Sequence, residues 1–375
     1  MVIEFSIYQD CFSTAAMRGV WSEDATIAAW LEAEQALASC QSELGQIPVG
    51  ASEAIGRIRL SDLDRDALTQ DMMLVGRPIV GLVAQMRKLT DEHAPFVHFK
   101  STTQDIMDTG MALQMKRGLA EVRQQTFDVI ACIDSHSEAQ ADTQILARTN
   151  GQHAVPMPFK TKLQVWETEL KRRLEALDQA AARGLNVQVG GPAGDLRDYD
   201  PGVALAVKQA LAARLGLGVL EPHWQNARDG IADVLSAMGI LCASLEKIAQ
   251  NINLLSSSEI AEASERRTPG KGASSSMGHK QNQRASEFGE AVARLARQRA
   301  LQITEHMMHQ HERSGGVWIG EWVIVPEVFV LTSGALKWSN QMFSDLVFDA
   351  DAMQSRIAAY ERALSAPSRP EGHQG

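Results

Sequence analysis

Residues 268–283 read Thr-Pro-Gly-Lys-Gly-Ala-Ser-Ser-Ser-Met-Gly-His-Lys-Gln-Asn-Gln, with three glycines, three serines and almost nothing to bury. Such a composition predicts a mobile loop. Lys271, His279 and Lys280 make it locally cationic in a chain of formal net charge −10. A loop that brings hydroxyls and cations together has the profile of an active-site lid. There, nearby positive charge can turn a serine into a base or a nucleophile. The Gly-x-x-x-x-Gly-Lys-Ser/Thr spacing of a phosphate-binding loop is absent.

Two other polar segments interrupt the apolar pattern. Residues 98–105, His-Phe-Lys-Ser-Thr-Thr-Gln-Asp, set four hydrogen-bonding side chains, Ser101 to Gln104, in front of a long helical segment. They read either as a cap, with Thr103 or Asp105 satisfying free N–H groups, or as an anion site at a helix N-terminus. Residues 148–158, Arg-Thr-Asn-Gly-Gln-His-Ala-Val-Pro-Met-Pro, crowd donors before a helix expected to start near 160. His153 reads either as a proton donor or acceptor near neutral pH or as a structural hydrogen-bonding residue. Each segment alone is an ordinary connecting loop; the three together point to a functional site.

Long helices must hold these segments. Residues 231–255 place Ile231, Val234, Leu235, Met238, Leu241, Cys242, Leu245, Ile248, Ile252 and Leu255 at alternating steps of three and four, the seam of a bundle. Gly239 is the one weak point, and continuation through 265 would give a helix on the order of 50 Å long. Similar periodicity predicts helices at 105–143, 161–182, 285–306 and 327–346, the last apolar nearly all round as a central buried helix is. The expected class is therefore all-α, with about five long helices in a bundle. Residues 1–100 read as a separate N-terminal domain of shorter helices, with turn signals at Gly45–Pro48 and Arg77–Pro78. Residues 101–345 are the long-helix domain, and 346–375 a reduced C-terminal segment whose tail after Ala366 reads as disordered.

Composition sets outer bounds. Hydrophobic residues make up 45% of the 375 and aromatics 5%, a balance that favours helix-on-helix packing. The acidic net charge argues against nucleic acid or an anionic membrane as partner. Cys11, Cys40, Cys132 and Cys242 are scattered, with no Cys-x-x-Cys pair, and read as buried free thiols in a reducing compartment. The acidic N-terminus is unlike a signal peptide, and no run of about 18 uninterrupted apolar residues exists. The expected location is the cytoplasm, without a membrane span.

The three segments, in this order, resemble the signature regions of the fumarase/aspartase superfamily. Residues 98–105 are similar to His-x-Gly-x-Thr-Ser-x-Asp, and 148–156 to Arg-Thr-x-x-Gln-x-Ala-x-Pro. Residues 272–282 resemble Gly-Ser-Ser-x-Met-Pro-x-Lys-x-Asn, the most specific of the three. The likeness is greatest to the 3-carboxy-cis,cis-muconate cycloisomerase branch. It extends through residues 17–37, the Gly190-Gly191-x-x-Gly194 turn, Arg228-Asp229, and 316–322 followed by Pro326-Glu327.

The resemblance implies a three-part helical protomer whose long helices join those of three other copies in a homotetramer. Each active site would draw its three signature regions from different subunits. It implies an anti β-elimination, or the reverse addition, on a small polycarboxylate without metal or organic cofactor. Ser274, six residues before Lys280, would be the base. Lys280 and Asn282 would hold the reacting carboxylate, Thr102, Thr103 and Gln104 the other carboxylate, and Gln152 would add a donor. His153 is the local candidate for the acid. Asn150, within the substrate-binding set, stands where many members carry His. Lys100 replaces a glycine, Thr103 a serine and Ala273 a glycine, while Gly278, Gln281 and Gln283 replace Pro, Arg and Pro. The alternatives are a C–N lyase that releases fumarate from an N-substituted aspartate, and a non-catalytic structural or scaffolding protein built on the same helices.

Overall fold

A computed structural model describes residues 5–266, 268, 270, 277 and 282–365. The five expected long helices are present: Thr103–Ala139, Phe159–Gly184, Asp229–Leu255, Arg284–Leu301 and Gly315–Asp345. Among the described residues, β structure is confined to three two-stranded pairs, so the chain is all-α in class. It divides into two compact units. The first comprises Met1–Arg123, Glu175–Ile240 and Leu295–Ser333, and the second Gln124–Leu174, Leu241–Arg294 and Gly334–Gly375.

In the first unit the helices of the N-terminal third pack a continuous core. Ser22 caps Glu23–Glu43 by accepting from the Ala25 amide at 3.1 Å, and that helix buries Ile27, Leu31 and Leu37. The two turn signals are used as expected. Gly45 takes φ +68° after the Glu23 helix, and Pro78 opens the Pro78–Leu89 helix at its first turn, where its missing N–H costs nothing. Close approach explains two helical glycines. A Cβ on Gly118 would lie 2.6 Å from the Phe329 ring, and one on Gly239 would lie 3.0 Å from the Ala300 methyl. The apparent weak point at Gly239 is thus a contact between the Asp229 helix and the end of the Arg284 helix.

Three expectations shift. The Asp229 helix stops at Leu255 and, at about 1.5 Å per residue, is roughly 40 Å long. Serines 256–258 follow, and Ser257 Oγ donates to the Leu254 carbonyl at 3.0 Å, a local bond that competes with the helix. Ala263–Glu265 then pairs antiparallel with Leu346–Phe348. The Gly315 helix begins well before 327 and runs through Pro326. By length and composition it could cross a membrane, with mean hydropathy 1.5 in its most apolar window, but 67% of that window is buried, as in a core helix. All four cysteines are free thiols, yet only Cys40 and Cys242 are buried; Cys11 and Cys132 are half-buried.

In the second unit aromatic pairs close the core: Phe288 stacks on Trp338 at 4.7 Å, and Phe159 meets Phe348 edge-on at 4.7 Å. His136 bonds the Phe343 carbonyl at 2.7 Å. The expected tail after Ala366 lies outside the described residues.

Candidate active site

The Thr103 helix starts where the first polar segment ends, and the backbone reaches it under strain. His98 and Lys100 take φ +61° and +54°. This left-handed conformation costs a non-glycine residue about 1 kcal/mol, which accounts for glycine being the family's residue at the position of Lys100. Lys100 Nζ lies 4.6 Å from the Tyr199 ring centroid. His98 is held by Glu34, with Nδ1 2.6 Å from Oε1. Burial works to lower the His98 imidazole, but the Glu34 carboxylate outweighs it, and the net shift is upward.

Asp105 anchors the loop. Its carboxylate accepts from the Thr102 amide at 3.1 Å, which is half of a capping box. It also accepts from the Gly190 and Gly191 amides, each at 2.9 Å, and from Gln188 at 3.2 Å. Burial pushes the Asp105 carboxyl upward, and the Gly190 and Gly191 amides oppose that shift. Of the two capping residues considered from sequence, Asp105 serves, from the third helical position. Thr102 and Thr103 are half-buried at the helix N-terminus, and no described residue engages their hydroxyls.

Gln104 has partners within the first unit. It is fully buried. Its amide nitrogen donates to Asp108 at 3.0 Å and to the Gln225 carbonyl at 2.8 Å. Its oxygen accepts from Arg313 Nε at 2.7 Å. These bonds tie the first turn of the helix to Gln225 and to Arg313.

One turn further in lies the group that fixes this helix. Arg228 is completely buried and donates to both oxygens of Asp108 (2.7 and 3.0 Å) and of Glu321 (2.9 and 2.5 Å). Trp318 Nε1 donates to Asp108 at 3.0 Å. Burial would lower the guanidinium, but the two carboxylates overcome it and raise it. Burial, with Asp108 adding to it, pushes the Glu321 carboxyl up against the pull of Arg228. Arg228 and Trp318 fall in the outlying motifs 228–229 and 316–322; their partners were invisible without the fold.

The second polar segment is a β-hairpin, not the loop its polarity implied. Gln144–Thr149 pairs antiparallel with Gln152–Pro158, Thr149 opposite Gln152 and Arg148 opposite His153. The turn residues Asn150 and Gly151 take φ +51° and +77°, both left-handed, as a tight two-residue hairpin turn requires. Asn-Gly is the sequence signal for such a turn, and its weight was missed. Asn150 and Gln152 are exposed at the tip. His153 is exposed too, with its ring edge-on to Tyr360 at 5.8 Å. Tyr360 Oη donates to the Ala154 carbonyl at 2.7 Å, pinning the Ala350–Ser365 helix to the strand. Arg148 points to the other side and makes a two-pronged contact with buried Glu262, 2.8 Å for each bond.

Ser274 and Lys280 lie outside the described residues. Asn282 is half-buried just before the Arg284 helix. That helix is capped by Glu265, whose Oε1 accepts from the Ala285 amide at 2.5 Å. Thr102, Thr103 and Gln104 thus belong to one unit and Asn150, Gln152, His153 and Asn282 to the other. Among the described residues no cluster of three His, Cys, Asp or Glu side chains is arranged to hold a metal.

Comparison with known proteins identifies the family. A family profile described as "Lyase" matches residues 12–297. The chain is 32% identical over 351 residues to trans-aconitate decarboxylase 1 of Mycosarcoma maydis, covering 93% of this chain and 71% of that protein. It is 32% identical over 358 residues to 3-carboxy-cis,cis-muconate cycloisomerase of Acinetobacter baylyi, covering 94% and 79%. The crystal structure of 3-carboxy-cis,cis-muconate lactonizing enzyme from Pseudomonas putida superposes with a TM-score of 0.86 at 30% identity, over 96% of this chain and 83% of that one. With its long helices, its capped threonine loop and these relatives, the chain belongs to the fumarase/aspartase superfamily and is a lyase-family enzyme.

Proposed function

We propose that the protein catalyses anti β-elimination, or the reverse addition, on a small polycarboxylate, in the manner of 3-carboxy-cis,cis-muconate cycloisomerase. The observation that carries this reading is the N-terminus of the Thr103 helix. Among the described residues nothing engages the two threonine hydroxyls there, while the neighbouring Asp105 is consumed by the Thr102, Gly190 and Gly191 amides. A helix N-terminus with free hydroxyls is suited to a carboxylate. Gln104 acts on that carboxylate through Arg313, whose guanidinium it orients.

In this reading Ser274, as an alkoxide stabilised by backbone amides and Lys280, removes the proton next to a carboxylate. Lys280 and Asn282 hold the aci-carboxylate that results. Asn150 and Gln152, at the hairpin tip, hold the remaining polar groups. The electron pair expels the leaving oxygen or nitrogen, which takes a proton from His153. General acid catalysis of this kind is worth roughly 10²–10⁴ in rate. The protomer works as a three-part chain, 1–100, 101–345 and 346–375, within a cytoplasmic homotetramer whose sites are completed by three subunits.

A substrate panel tests the proposal. Purified protein is mixed with 3-carboxy-cis,cis-muconate, with trans-aconitate and with N-substituted aspartates, and the C=C absorbance is followed. Loss of the muconate chromophore as a lactone forms supports the cycloisomerase reading. Fumarate release from an N-substituted aspartate assigns C–N lyase chemistry instead. No turnover of any polycarboxylate refutes the reading.

A further inference from the structure

We propose that the second unit carries a binding pocket for an amphipathic monocarboxylate, with Lys162 as the counter-ion to its head group. The pocket is a cavity of about 480 Å³ beneath the inner face of the hairpin, within the usual size range of small-molecule sites. Leu146, Met157, Leu254 and Leu255 give it an apolar wall, and Arg148 and Lys162 a cationic one.

Charge balance decides what it takes. Arg148 is matched to Glu262 at 2.8 Å, and Arg356 Nε also lies 3.2 Å from the same carboxylate. Glu262 is completely buried, so one anion already serves two arginines. Lys162 is a third cation, half-buried, and no described carboxylate pairs with it; its recorded neighbour is the Trp166 ring at 5.8 Å. Of the two cations that line the cavity, Arg148 is matched to Glu262, whereas Lys162 has no carboxylate within ion-pair distance among the described residues, which leaves one positive charge beside apolar walls. A cation of this kind beside low-dielectric surface is costly without a counter-ion. Burial, with Arg148 adding to it and Glu262 opposing it, lowers the Lys162 ammonium from its ordinary range. A ligand with one carboxylate and an aliphatic or aryl body satisfies both walls; a polycarboxylate satisfies only one. Thr149 and Gly151 of the hairpin turn reach the edge of the pocket, but Asn150 and Gln152 are exposed and do not line it; its wall is mainly Leu146, Arg148, Lys162 and the end of the Asp229 helix.

The test is calorimetric titration of the full chain with hexanoate and, separately, hexanol. Hexanoate should bind one per chain, at least about tenfold more tightly than hexanol. Lys162→Met should weaken hexanoate by about tenfold or more and leave hexanol unchanged, while Lys162→Arg keeps the preference. Leu254→Trp, at an exposed position on the rim, should block both ligands, a result that does not depend on how the lysine variants fold. Ser274→Ala should bind hexanoate like the wild type. The proposal is overturned by equal binding of hexanoate and hexanol, by no hexanoate binding, by a Lys162→Met chain that binds unchanged, or by loss of binding in Ser274→Ala.

Discussion

Replacing Arg228 by Met removes the one cation from a site where Arg228, Asp108 and Glu321 are all completely buried. Four charge-assisted hydrogen bonds of 2.5 to 3.0 Å disappear together. Asp108 keeps the Trp318 and Gln104 donors, both at 3.0 Å. Among the described residues Glu321 keeps no comparable donor; His309 Nε2 is 3.9 Å away. Breaking a buried ion pair from one side costs about 3–5 kcal/mol, because a charge is left without compensation. That is a large share of the roughly 5–15 kcal/mol that holds a typical domain. The loss has a pH signature. Unpaired buried carboxylates have folded pKa values above their unfolded ones, so their protonated forms fit the fold better. Their destabilising effect is therefore greatest above the folded pKa and fades as the pH falls through it. Denaturant unfolding at pH 8 and pH 5, read by the fluorescence of buried Trp224 and Trp318, should show a larger deficit at pH 8. Arg228→Met combined with Asp108→Asn and Glu321→Gln should recover most of the loss. A single-variant deficit under about 1 kcal/mol, or one equal at both pH values, would falsify the claim that this network anchors the Thr103 helix.

The remaining expectations concern the loop and the packing. His98 has its pKa raised by Glu34, so the stability their pair adds is fully present below about pH 6.5 and fades as pH rises through the higher folded value. Glu34→Gln should therefore cost more at pH 6 than at pH 9 in thermal melts, and an equal cost at both would contradict the pairing. Gly118→Ala puts a methyl 2.6 Å from the Phe329 ring and should cost about 1–3 kcal/mol by overpacking; an unchanged melting temperature would show that the ring is free to give way. Thr102→Val with Thr103→Val keeps shape and removes both hydroxyls. It should raise KM for a polycarboxylate by about tenfold or more with stability nearly unchanged, and unaltered kinetics would remove the helix N-terminus from the site.

The long helices were legible because each buries a stripe at the helical period; on the Asp229 helix the stripe residues Ile231, Val234, Leu235, Met238, Leu241, Cys242, Leu245, Ile248, Ile252 and Leu255 are all buried. Their ends were less so. The Asp229 helix yields to local serine bonds after Leu255, and the expected start at 327 falls inside the Gly315 helix, which passes through Pro326. The hairpin at 144–158 was hidden by its polar composition, although Asn150-Gly151 carried the signal. At the candidate site, residue types singled out three polar segments but not the commitments their side chains make in space. Nothing in the local sequence distinguishes Thr102, whose hydroxyl is left unengaged, from Gln104, whose amide is spent on Asp108, Gln225 and Arg313. The Arg228, Asp108 and Glu321 group joins residues more than ninety positions apart, a pairing that only the packed helices can reveal.

The central claim is that Ser274 is the base of an elimination on a polycarboxylate. The most direct measurement is kcat of Ser274→Ala on whichever polycarboxylate the wild type turns over, with circular dichroism and oligomeric state matched to the wild type. Loss of the base should lower kcat by about 10²–10⁴ with substrate binding retained. A correctly assembled Ser274→Ala enzyme that keeps kcat within about threefold of wild type would place the base elsewhere.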